Sequence, residues 1–571
     1  MQKKIQHTIH KFPLAVAGIL SVGAMASCAY AQTAAAPAAA MPGNDAGGAA
    51  TNTRSTIAEG GNATDGFDMA PETSLEVVQK AVAAIPVKLP AGPVQPSWES
   101  LQANYKVPVW FQEAKFGIFM HWGLYSVPAY HNEWYQKHMY NAFRQWHTEN
   151  FGPIDKFGYK DFIPMFTAAK YDPDAWATLF KKSGARYVMP AAQHHDNFAL
   201  WDSAVTPFNA KAMGPKRDLI GDMARAVRAQ GMKFGVSNHG IENIQFINPH
   251  PTVLADLKAK HADLFDPKWA SFYNVADRSD AAMQRFLVDW ALRNAELIDK
   301  YQPDLLWFDN GVDMRYIDPL KLWLASYYYN RAKTWGKEVS ISTKKAAYAP
   351  AGTNVKTIGS IIDFEKVGGR SPSGIRTGAW QVDHPIGSTW GYTKTMSVSQ
   401  PGSILNNLVD TVSKNGNFLL NISPMADGTI PQAQQDTLLA IGEWLGVNGE
   451  AIYGTQAWTK FGETVPRGQQ GQNIRFTVKG NDLYAIILGA WPGAEATVKS
   501  LATGQAPAGK ITSVSMLGAP GTLQFTQDAT GLKVKLPATA PGKLAYTLKI
   551  SGLQMNPSTY TPSGNPQNLP N

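Results

Sequence analysis

A chain of 571 residues is too long for one small fold and leaves room for a large domain, a second domain and two tails. Its 52 Lys and Arg against 44 Asp and Glu give a formal charge of +8, but no long run of like charge focuses it, so no nucleic-acid partner is expected. Cys28 is the single cysteine, which excludes disulfides, thiolate metal sites and a cysteine nucleophile from the body of the chain.

Residues 1–31 read as an export signal. Lys3, Lys4 and Lys11 precede an apolar run from Phe12 to Ala26, and Ala29-Tyr30-Ala31 places small residues around a cleavage point. Met25-Ala26-Ser27 before Cys28 offers a second reading, a lipid anchor on that cysteine. Beyond the signal no stretch is long and apolar enough for a transmembrane helix. The mature protein is therefore expected to be exported, periplasmic or extracellular.

Residues 32–107 form a linker, rich in Ala, Pro, Gly, Asn and Thr up to about Asp68, a composition that cannot bury enough surface to order itself. It carries one short amphipathic helix with Ser74 as N-cap and Leu75, Val78 and Val82 on one face. From 108 to 455 short apolar runs alternate with helical periodicities. Strands are expected at Phe116–His121, Tyr187–Gln193, Lys233–Ser237, Asp304–Asp309, Glu338–Ser342, Ser360–Glu365, Ala379–Asp383 and Phe418–Ile422. Helices are expected at Asp174–Ser183, Leu219–Gln230, Ala281–Lys300 and Gln432–Asn448, with Gly184 and Gly231 where the first two stop. About eight such units predict an α/β fold, a (β/α)8-like TIM barrel. From 456 to 555 the period changes to two, as in Leu532-Lys533-Val534-Lys535-Leu536, which predicts a C-terminal antiparallel β-sandwich; 556–571 should be a disordered tail.

In a parallel barrel the carboxyl ends of the strands share one face, so polar residues that close apolar strands converge. Here the ends are His121, His194-His195-Asp196, Asn238-His239, Asp309 and Glu365, the set a polar-substrate pocket needs. Asp309 and Glu365 each end a strongly apolar run, and a carboxylate pair is the machinery of glycoside hydrolysis. Asp309, before the Asn310-Gly311 turn, is expected to be solvated and ionised. Glu365, beside Phe364 and on one strand face with Asp363, is expected to hold its proton through desolvation and like charge. The structural alternative for either is a helix cap or an ion pair. A metal is not expected: His194 and His195 should point to opposite sides of their strand, and no third ligand shows at ligand spacing. Trp122, Trp134, Trp201, Trp307 and Trp390 lie beside these strand ends and are candidates for a pocket wall, Trp307 foremost because it shares the Asp309 face; core packing is the alternative for the rest.

Six segments, taken together, are recognisable: A-K-F-G-I-F-M-H-W-G-L-Y-S-V-P-A-Y (Ala114 to Tyr130), E-W-Y (Glu133 to Tyr135), Q-H-H-D-N-F-A-L-W-D-S (Gln193 to Ser203), P-D-L-L-W-F-D (Pro303 to Asp309), S-T-W-G-Y (Ser388 to Tyr392) and N-G-N-F-L-L-N-I-S-P (Asn415 to Pro424). In that order over the whole barrel region the chain resembles the α-L-fucosidases of glycoside hydrolase family 29. The resemblance implies an exo-acting retaining enzyme without cofactor, with a fucosylated glycan as substrate and Asp309 as nucleophile. It implies that His121, Glu133, Trp134, His194, His195 and Trp307 hold the hydroxyls, ring and methyl of the sugar. Two departures stand out. Asn197 follows H-H-D where the family commonly has Gly, and the third strand reads G-V-S-N-H where it often has Tyr and Ser, leaving Asn238 or His239 as local substitute. The acid/base position varies most in the family. Glu365 is the choice, Asp363 and Asp383 are the alternatives, and Arg370 is a further substrate-binding candidate. Competing functions are a fucose-binding, lectin-like protein without catalysis and a hydrolase of a related sugar such as an α-L-galactoside.

Overall fold

Eight short apolar runs form the eight parallel strands of a closed barrel: β1 Phe116–Met120, β2 Tyr187–Gln193, β3 Lys233–Asn238, β4 Leu305–Phe308, β5 Ser340–Lys344, β6 Ser360–Asp363, β7 Trp380–Pro385 and β8 Gly416–Ile422. Each strand pairs with its sequence neighbours, and β1 closes the ring by pairing with β8, Ile118 opposite Leu420. This computed structural model describes residues 73–309, 311–314, 316–344, 348–350, 357–365, 372–465 and 471–555, all within one unit, Arg54–Asn571. The export signal, Cys28, Asn310, Arg370 and the tail at 556–571 lie outside the described residues. No described helix is long and apolar enough to cross a membrane.

The helices start and stop where local chemistry dictates. Asp172 caps Pro173–Lys182 by accepting from the N–H groups of Asp174 and Ala175, and Ser279 caps Asp280–Tyr301. Gly184 and Gly231, at φ +89° and +70°, turn the chain out of their helices in the left-handed region. Leu75–Ala84, capped by Ser74, buries Val77, Val78 and Ala81 against the barrel helices Asp280–Tyr301 and Asp318–Thr334, so the barrel body includes chain from Leu75 onward.

Two apolar layers surround the strands. One lies between strands and helices. A smaller one, comprising Phe119, Tyr187, Met189, Leu305, Trp307, Ile361 and Leu419, fills the barrel's interior, with Phe111 and Ala114 of the helix Val109–Ala114 packed beneath it. Glycines open space for the bulky rings: a Cβ on Gly117 would sit 2.4 Å from the Tyr187 ring, and one on Gly416 2.4 Å from Trp380.

The C-terminal region holds a five-stranded antiparallel sheet in the order β13-β16-β11-β10-β9 and a three-stranded one, β12-β15-β14. These strands are β9 Gly462–Glu463, β10 Asn473–Lys479, β11 Asp482–Leu488, β12 Glu495–Val498, β13 Gly509–Met516, β14 Phe525–Asp528, β15 Gly531–Lys535 and β16 Ala545–Leu553. Their inward residues form a separate core. The Trp444 indole N–H donates to the carbonyl of Ala545 (2.8 Å) and Arg475 Nε to Asp410 (2.7 Å), which fasten this region to barrel helices.

Candidate active site

At the carboxyl ends of β1 to β4 and of β6 the expected residues converge. Asp309 follows β4 and is only 7% exposed. Its Oδ2 accepts from His239 Nδ1–H at 3.1 Å and lies 3.5 Å from His195 Nε2; its Oδ1 lies 2.6 Å from the Lys344 ammonium. Burial alone would raise its pKa, but Lys344, then His195 and His239, overcome burial and hold it well below the usual carboxylate range. Asp309 is thus ionised through pairing, not through the solvation expected from the Asn310-Gly311 turn.

The histidines have distinct tasks. Ser237 Oγ–H donates to His239 Nε2 (2.9 Å), which fixes the His239 tautomer that donates to Asp309. Burial pushes His239 down to about 4, so this imidazole is neutral. His195 Nδ1–H donates to the His239 carbonyl (3.0 Å) and faces Glu242 at 3.3 Å; burial works against its charge, but Glu242 and Asp309 outweigh it and raise its pKa. His121 donates from Nδ1 to Asn421 Oδ1 (2.7 Å), and burial holds it and His194 well below the imidazole norm. His194 Nδ1 is buried with no protein partner.

The rings of His194 and His195 lie 4.4 Å apart and both pack against the His239 ring, against the expectation that they diverge. β2 ends at Gln193, so both lie beyond the strand and its period-two alternation does not apply to them. A third imidazole is also at hand. Ligand atoms of His121, His194 and His239 lie within 4.8 Å of one another, as do those of His195, His239 and Asp309, so the geometry admits a cation that the sequence spacing did not suggest. Asp196 turns away: it accepts from Tyr159 OH (2.8 Å) and the Phe198 N–H, and burial raises it to about 6. Asn197 has φ +68°, a conformation Gly and Asn tolerate best, which accounts for the Asn where Gly is common.

Lys344, which ends β5, was not anticipated. It reaches Asp309 Oδ1 at 2.6 Å and Glu365 Oε2 at 3.2 Å, so these two carboxylate oxygens lie within about 6 Å of each other. Burial opposes its charge, but the carboxylates of Asp309, Glu365 and Asp383 raise its pKa well above normal. The strand was expected to stop at Ser342, two residues early, and that hid a cation at its end. Glu365 lies two residues past β6 and faces Lys344 rather than sharing a strand face with Asp363. Asp383 is crowded too: burial and then the charges of Asp363 and Glu365 push it well above the carboxylate norm. Asp383 Oδ1 is buried without a partner. Asp363 is filled: Trp307 Nε1–H (2.8 Å), Gln381 Nε2–H (2.5 Å) and the Asp383 N–H (3.0 Å) all donate to it, and burial brings it to about 6.

Around this centre Glu133 is buried and accepts from the Gly391 N–H (3.1 Å); burial raises its pKa. A Cβ on Gly391 would meet Glu133 and Tyr125 at 2.9 Å, so glycine in S-T-W-G-Y is what allows this approach. Trp307 packs 5.1 Å from the His239 ring, Trp390 5.3 Å from His121 and Trp134 6.0 Å from His195. Trp122 and Trp201 belong to the core: the first packs with Phe166, Tyr171 and Trp176, and the second donates to Glu296 at 2.7 Å.

Known proteins share this layout. Residues 82–450 match the family model described as alpha-L-fucosidase, and 468–551 match the alpha-L-fucosidase C-terminal domain. The tissue alpha-L-fucosidase of Rattus norvegicus is 33% identical over 493 residues, covering 80% of this chain and 92% of that protein. That of Homo sapiens is 31% identical over 487 residues, covering 80% and 92%. The crystal structure of Thermotoga maritima alpha-fucosidase in complex with fucose matches with a TM-score of 0.63 and 32% identity, over 80% of this chain and 99% of that one. The chain belongs to the alpha-L-fucosidases of glycoside hydrolase family 29.

Proposed function

We propose that the protein is an exo-acting α-L-fucosidase that cleaves terminal α-L-fucosyl linkages with retention, Asp309 as nucleophile and Glu365 as acid/base. The observation that carries this reading is the Lys344 bridge, which keeps the two carboxylates closer than the about 6.5–9.5 Å an intervening water requires in an inverting enzyme. An ionised Asp309 forms a bond to the anomeric carbon as the aglycone oxygen leaves with the proton of Glu365. Water then attacks the same carbon, Glu365 takes back a proton, and the Asp309–sugar ester bond breaks. While the ester stands Asp309 carries no charge, which leaves Lys344 to stabilise the Glu365 carboxylate alone, as suits a base.

His239 and His195 orient and polarise Asp309; on this reading His121, His194 and Glu133 bond sugar hydroxyls and Trp134 and Trp307 form the apolar wall. A second donor assignment has its own support: Asp383, buried, with its pKa raised well above the carboxylate norm by burial and by Asp363 and Glu365 and with one oxygen without a partner, could act in place of Glu365. The amino-terminal signal favours action outside the cytoplasm. Purified protein should release L-fucose from an aryl α-L-fucoside with the α-anomer appearing first by NMR, and Asp309→Ala should cut turnover at least about 1000-fold with the fold intact. A β-anomer as first product, or an active Asp309→Ala variant, would remove the proposal.

A further inference from the structure

The end of the barrel opposite the active site carries a second polar feature. Lys115 links the helix Val109–Ala114 to β1 and is 3% exposed. It lines a cavity of about 130 Å³ together with Phe111, Trp380, Asn415, Asn417 and Gln456. Apart from Gln456, these residues stand just before or at the beginning of β1, β7 and β8, whereas Asp309, Lys344 and Glu365 stand at or beyond the far ends of their strands, so the two sites occupy opposite faces. The ring layer of Phe119, Tyr187 and Trp307 lies between them.

Among the described residues no ion pair or side-chain hydrogen bond reaches the Lys115 ammonium. Burial is the one influence on it, and lowers its pKa to about 8. Glu113 also lines the cavity, but it is exposed and does not figure among the charges acting on Lys115. At neutral pH the amine is still mostly protonated, a charge in a low-dielectric setting without a countercharge, which proteins avoid unless something neutralises it. The space is on the order of ten times what one water needs. Its walls are of mixed character: the Trp380 ring on one side, and on another Asn417 and Asn415, held by donating to the carbonyls of Phe111 (2.6 Å) and Arg376 (3.0 Å). Lys115 also sits at φ +58°, a conformation in which Gly or Asn would be less strained.

We infer that this cavity is a binding site for a small monocarboxylate, its carboxylate paired with the Lys115 ammonium and its short apolar end against Trp380. The site lies on the seam between the two regions of the chain. The Gly454 N–H donates to the Glu113 carbonyl, and Gln456 exchanges backbone hydrogen bonds of 2.8 Å with Val478 of β10. An anion held there joins the helix below the barrel, the strand starts and the chain segment that enters the β-sandwich, so its binding should register as stability of the whole chain rather than as a change in catalysis.

The test uses acetate as probe and the full-length protein at pH 7. Acetate, against chloride at equal ionic strength, should raise the melting temperature of the wild type by about 1–3 °C along a saturating curve. Lys115→Met, which replaces the charge by an apolar chain of similar length, should keep full activity on an aryl α-L-fucoside and lose the acetate-specific rise. Independently of any variant, acetate should slow reductive methylation of Lys115 in the wild type, read by peptide mass mapping, without slowing that of exposed lysines. An equal acetate response in Lys115→Met, an equal response to chloride, or unprotected methylation of Lys115 would overturn the assignment.

Discussion

Replacing Lys344 by Met tests the electrostatic core of the site. The ammonium lies 2.6 Å from Asp309 Oδ1 and 3.2 Å from Glu365 Oε2, with side-chain exposures of 14%, 9% and 17%. At an effective dielectric of about 20 the closer contact is worth about 6 kcal/mol of gross attraction. Burial works against the charges of Lys344 and Asp309, and loss of one partner from such a buried set typically costs about 3–5 kcal/mol. If about half of that is felt by Asp309 as lost preference for its ionised form, its pKa rises by at least one unit, and kcat/KM falls about 10- to 100-fold on the acid limb, below the new pKa. The assay is kcat/KM on an aryl α-L-fucoside from pH 3 to 8, with circular dichroism to check the fold. Below the new pKa Asp309 is protonated and cannot attack, so the acid limb of the Lys344→Met profile should move to higher pH and activity should partly recover as pH rises. A folded variant with an unmoved acid limb and near-normal kcat/KM would refute the claim that Lys344 holds the nucleophile ionised.

Other outcomes follow from the same contacts. Glu365→Ala should slow substrates with poor leaving groups most and regain rate with azide, while Asp383→Asn should keep that leaving-group dependence; the reverse pattern would make Asp383 the proton donor. Asp383 has a folded-state pKa above its unfolded value, so the folded chain binds the extra proton, and stability falls as pH rises from about 4 through that folded pKa. Denaturant titrations should therefore show Asp383→Asn gaining on the wild type as pH rises from 4 to 8, by at most about 1.4 kcal/mol per unit. His239→Ala should lower kcat with little change in KM, because it removes a hydrogen bond to Asp309 rather than to sugar; a change in KM alone would make it a sugar ligand instead. Gly416→Ala should cost about 1–3 kcal/mol in chemical denaturation, because the added methyl meets the buried Trp380 ring at 2.4 Å.

The barrel was legible because its strands are short apolar runs with polar ends, and the starts of β1, β2, β3 and β6 were legible to the residue. The meeting of His121, His194, His195, Asp309 and Glu365 at one end follows from parallel topology alone. Charge balance was harder to read, because it depends on neighbours far apart in sequence. Lys344 stands at a strand end whose polar S-I-S-T-K pattern looks unlike the apolar runs beside it, and its partners are 35 and 21 positions earlier and later. The same holds for Asp383: only the pairing of β6 with β7 brings its carboxyl under the charges of Asp363 and Glu365. His239 illustrates the intermediate case. The sequence marked it as a substitute within an altered motif, but its pairing with both Ser237 and Asp309 needed the strand-end turn to be seen.

Phe111 and Ala114 close the interior of the barrel from below, under the rings of Tyr187 and Trp307. Side chains fill the bore from there up to Trp307, so nothing crosses the barrel, and whatever reaches Asp309 enters and leaves by the face at the strand ends. Release and the next encounter then compete for the same face, which makes accumulated product its own obstacle.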